Sequence, residues 1–94
     1  MTGFEEKLEA LRARFVQRAA VDADAIAERA TAGDWAAVRD VSHGLAGRAG
    51  MFGFAALSDA AKDLEDAVDA GADADRLDAL SGALVSDLRN LPAG

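Results

Sequence analysis

Ninety-four residues without a single cysteine fit one small domain, with no disulfide, no thiolate metal site and no cysteine nucleophile. A formal net charge of −7 and a pI near 4.4 repel phosphate backbones and anionic lipid, so nucleic-acid and membrane-surface roles are not expected. Half of the apolar residues are alanines, 24 in all, beside ten leucines, while β-branched side chains are scarce; this composition favours helix over sheet. No stretch is long and apolar enough to span a membrane, and the start MTGFEE has neither a basic region nor an apolar run. The expectation is a cytoplasmic protein with a single domain over residues 1–94.

Helix punctuation divides the chain into four pieces. The first places Phe4, Leu8, Leu11, Phe15, Ala19, Ile26 and Ala30 on one face and stops at Gly33. It reads as one long helix, with Asp22 as the alternative cap of a second helix after a break at 20–22. Asp34 caps the next piece, whose apolar face holds Trp35, Val38, Val41, Leu45, Ala49 and Phe52; Gly53 marks a turn. The third, from Phe54 to Ala70, carries Leu57, Ala61, Leu64 and Val68 and ends at Gly71. In the fourth, from about Asp73, Leu77, Leu80, Leu84, Leu88 and Leu91 run at helical spacing until Pro92. Four amphipathic helices with short connections predict an all-α, antiparallel up-and-down four-helix bundle.

The one histidine stands out against this frame. With about 100° per residue and Leu45 at the centre of the apolar stripe, His43 projects roughly 160° away, into solvent. On its face lie Arg39, Ala46, Gly47 and Gly50. Glycine recurs at 44, 47, 50 and 53, and each one inside a helix costs about 1 kcal/mol relative to alanine. Glycines that serve packing belong on the buried stripe, yet Gly47 and Gly50 lie beside the histidine. Something about this face needs small residues.

If the second and third helices form a hairpin turning near residue 54, His43 lies level with Glu65 and Ala46 with Lys62. A carboxylate beside an imidazole can accept the Nδ1 proton, fix the tautomer and leave Nε2 exposed as a nucleophile. Taken without the histidine, Glu65 and Lys62 belong to an ordinary solvated acidic face that also carries Asp59, Asp63, Asp66 and Asp69.

The stretch HGLAGRAGMFGF from His43 to Phe54, followed by Leu57 and Leu64-Glu65, resembles the signature of histidine phosphotransfer (HPt) domains, roughly H-x-L-K-G-x-A-x-x-x-G-x-x-x-L. The likeness is to the phosphotransfer domains of chemotaxis-type kinases in particular, and the motif covers about a quarter of the chain. The resemblance implies a phosphocarrier without kinase activity of its own. His43 would be the phosphoacceptor, Glu65 would orient its imidazole, and Arg39, Ala46, Gly47 and Gly50 would meet the partner. Response-regulator receiver domains and a sensor histidine kinase are the implied partners, and the resemblance implies a monomer, with an apolar patch on the first helix as the surface through which copies would otherwise pair. No cofactor is expected on this chain, Mg²⁺ belonging to the receiver, and the chain offers no P-loop, no G-x-G-x-x-G and no metal-ligand cluster.

One departure matters: the family's usual Lys or Arg three residues after the histidine is Ala46 here. Lys62 is the candidate replacement for neutralising the phosphoryl group, with Arg39, one turn before His43, and Arg48, beside the apolar stripe, as lesser ones. The loss also leaves open a rival reading, a helical interaction module that binds a receiver or kinase domain without accepting phosphate.

Overall fold

The computed structural model describes residues 2–91 as four helices: α1 (Thr2–Thr31), α2 (Trp35–Met51), α3 (Ala55–Asp69) and α4 (Ala74–Arg89). Capping sets these boundaries. The Asp34 side chain accepts a hydrogen bond from the Ala37 N–H at 3.2 Å, and the Asp73 side chain one from the Arg76 N–H at 2.9 Å. The first three helices close in one way, with a glycine of positive φ (Gly33, Gly53, Gly71). Around it, paired backbone bonds such as Asp34 N–H to Arg29 O and Phe54 N–H to Ala49 O take up the last free carbonyls. The expected stop at Pro92 lies outside the described residues; α4 ends at Arg89, and Asn90 caps it through a side-chain bond to the Ser86 carbonyl.

The helices form an antiparallel up-and-down ring in which α2 packs on α1 and α3, and α4 on α3 and α1. Phe15, Ala19 and Ile26 of α1, Val38, Leu45 and Ala49 of α2, Leu57, Ala61 and Leu64 of α3, and Leu77, Leu84 and Leu88 of α4 make the core. Phe15 stacks on Phe54 with ring centroids 5.1 Å apart and leans on Phe52 at 5.9 Å, which pins the α2–α3 turn against α1. Among the described residues, no helix is long and apolar enough to cross a membrane.

α1 is one unbroken helix of 30 residues, as expected, and the alternative break with Asp22 as a cap does not occur; Asp22 is buried inside the helix, paired with Arg48 at 3.3 Å and Arg18 at 3.8 Å. The apolar stripe of α1 does need correction, because not all of it enters the core. Phe4 is 70% exposed, and every residue from Gly3 to Arg12 is exposed, Leu8 and Leu11 included. Thirty residues make a rod of about 45 Å, whereas the 15–17 residues of the other helices span only about 25 Å, so the early turns of α1 find too little to pack against.

Candidate functional site

The site is built on the seam between α2 and α3. Leu45 and Leu64 are fully buried and hold the two helices together. His43, two residues before Leu45, therefore points outward, and its side chain is 68% exposed. Glu65 follows Leu64 and lies on the seam itself, only 12% exposed. His43 Nδ1 and Glu65 Oε2 are 2.8 Å apart. A neutral imidazole in this contact donates its Nδ1 proton to the carboxylate and leaves the Nε2 lone pair free.

Arg39, one turn before His43, reaches the same carboxylate. Its Nη2 lies 3.1 Å from Glu65 Oε2, and the guanidinium donates to Asp69 from Nε at 3.1 Å and from Nη2 at 3.4 Å. Asp40 lies 3.5 Å from Nη1. Hydrogen bonding to Asp69, followed by that residue's charge, raises the Arg39 pKa above its ordinary value. Arg39 was expected on the partner-facing surface; it is half-buried and engaged by three carboxylates, so its charge is already committed.

The small residues divide. A Cβ on Gly47 would meet nothing within 4 Å, so this position is open as expected. Gly50 is different. A Cβ there would lie 3.3 Å from Ser58 Oγ, which in turn donates to the Ala46 carbonyl at 2.8 Å. Gly50 thus lets α3 approach α2, a packing role that the angular count had reserved for the apolar stripe; the close approach lies at the rim of the helix pair instead. Ala46 is half-buried beside this bond. Gly53, at φ 83°, makes the turn.

Of the cations considered, Arg48 is turned away toward Asp22 on the other flank of α2. Lys62 is exposed and enters no ion pair among the described residues, His43 and Glu65 included. Asp69 and Ser58 escaped the sequence reading, though the same level count that pairs His43 with Glu65 sets Arg39 opposite Asp69 and Gly50 opposite Ser58. Among the described residues, no group of three or more His, Cys, Asp or Glu side chains is placed to hold a metal ion.

The family model for the Hpt domain matches residues 10–94. The chain belongs to the Hpt family. Comparison with curated proteins and with solved structures gives no match. As an Hpt domain it is a phosphotransfer module of two-component signalling, a carrier type rather than a kinase, and the family as a whole works with receiver domains and histidine kinases.

Proposed function

We propose that His43 accepts and donates a phosphoryl group at Nε2, exchanging it with the aspartates of response-regulator receiver domains downstream of a sensor histidine kinase. One observation carries this reading: an exposed imidazole whose inner nitrogen is held 2.8 Å from a nearly buried carboxylate. In the forward step, Nε2 attacks the phosphorus of a receiver's aspartyl phosphate. The N–P bond forms as the P–O bond breaks, and the electron pair leaves on the receiver's carboxylate. The Nδ1 proton stays between the ring and Glu65, so no separate base is required. The reverse step runs through the same contacts.

Phosphoryl transfer depends mainly on positioning and charge neutralisation. On this reading the receiver brings Mg²⁺ and its own cation, while this chain supplies the nucleophile, the open surface at Gly47 and, in Lys62, the uncommitted cation nearest in register to Ala46. A receiver seated on this face shields the reacting atoms from water.

Incubation with a phosphorylated receiver and Mg²⁺, or with a small acyl phosphate, is expected to label the protein in an acid-labile, base-stable form, and His43→Gln to abolish that label. Labelling that persists unchanged in His43→Gln overturns the assignment. Ala46, half-buried where the family carries a cation, favours a second reading, receiver binding without phosphate uptake. Retained binding with no transfer at any Mg²⁺ concentration selects it.

A further inference from the structure

We infer that Arg39 is a positioning residue, which holds the Glu65 carboxylate aimed at His43 Nδ1. The inference rests on the phosphoacceptor reading of His43 for its consequence, but its geometry stands apart from that reading.

The argument starts with Glu65. At 12% exposure its carboxylate has lost most of its water, and a carboxylate so placed needs a compensating charge. His43 supplies a hydrogen bond, but only the imidazolium form supplies a charge, and the imidazolium has no lone pair at Nε2. Arg39 supplies that charge instead. Its guanidinium, 3.1 Å from Glu65 Oε2, provides the positive charge from a group that is always protonated. The oxygen is shared: Oε2 lies in an ion pair with Arg39 Nη2 and in hydrogen-bond contact with His43 Nδ1.

The hold on Arg39 is also specific. Nε and Nη2 grip Asp69, one helical turn beyond Glu65 on α3, while Nη2 faces Glu65. The planar fork thus spans two carboxylates on one face of α3 and fixes the guanidinium between them. A chain of contacts runs from Asp69 through Arg39 and Glu65 to His43, from one exposed end to the other, with Arg39 and Glu65 the more buried links. Engaged in this way, Arg39 is poorly placed to leave and clamp a phosphoryl group.

The test reads the ring itself. Nitrogen-15 NMR of the imidazole, with His43 neutral, is expected to show mainly the Nδ1–H tautomer in the native protein and a smaller Nδ1–H fraction in Arg39→Gln. Phosphorylation by acetyl phosphate should slow by about 10-fold in the same variant, the usual scale for losing a group that orients a reactive side chain. Arg39→Lys keeps the charge without the fork and should fall between the two. Should Arg39→Gln fail to fold, Asp69→Asn releases the far end of the guanidinium and should move the tautomer ratio in the same direction. An unchanged tautomer ratio in a folded Arg39→Gln overturns the inference. If the native protein takes up no phosphoryl group, the proposed function fails, and the tautomer measurement still decides the role of Arg39.

Discussion

Helix α2 carries two arginines nine residues apart, which is two and a half turns, so they leave the helix on opposite flanks. Each neutralises a largely buried carboxylate on a neighbouring helix: Arg39 meets Glu65 of α3, and Arg48 meets Asp22 of α1. The two arrangements answer the same physical problem, a carboxylate withdrawn from water. They differ in what else the carboxylate touches. Asp22 spends its second oxygen on another arginine, Arg18, and the cluster is closed. Glu65 instead faces an exposed imidazole, so the polarity it carries is passed to a group that can react. An acid–arginine pair in a bundle is a bolt until a solvent-facing imidazole joins it.

Three substitutions strain this contrast. Asp22→Ala should have the largest effect on stability. Breaking a buried pair costs several kcal/mol, but Arg48 is 41% exposed and can recover water, so about 1–3 kcal/mol is expected in urea unfolding. Folded Asp22→Ala should take up phosphate at the native rate, and a slowed rate would mean that the two clusters are not separate. Glu65→Ala should show the reverse pattern. Transfer should slow by about 10-fold, with less than about 1 kcal/mol lost in stability, because Arg39 keeps its bonds to Asp69. An unfolding cost as large as that of Asp22→Ala would make Glu65 another bolt. The smallest effect concerns Gly47→Ala, where the added methyl meets nothing and helix propensity improves by up to about 1 kcal/mol. Stability should rise while receiver affinity falls, as measured by titration calorimetry; unchanged affinity would remove Gly47 from the partner surface.

Much of this could be read from the chain alone. Helix ends were legible because they rest on local chemistry: Asp34 and Asp73 as caps, and Gly33, Gly53 and Gly71 as the residues that tolerate a left-handed turn. The meeting of His43 with Glu65 was legible because a tight hairpin fixes which residues lie level. Periodicity failed where it could not know the length of the neighbours, as at Phe4, Leu8 and Leu11, which keep a helical stripe beyond the packed part of the bundle. Asp22 could be read as an alternative cap because its partner, Arg48, is 26 positions away and leaves no local sign in the sequence. Asp69 was passed over among the acids of α3, although the level count that pairs His43 with Glu65 also sets it opposite Arg39.

Ring closure has a kinetic side. The seam between α1 and α4 joins groups far apart in the chain, as in the 3.0 Å bond from Arg89 to Asp24 across 65 positions, whereas Ser58 reaches the Ala46 carbonyl across only 12. Closing a long loop costs more entropy than closing a short one, and local contacts form sooner. The α2–α3 hairpin is therefore cheaper to close than the α1–α4 seam, and the contacts that set His43 against Glu65 depend on a short turn and not on closure of the ring.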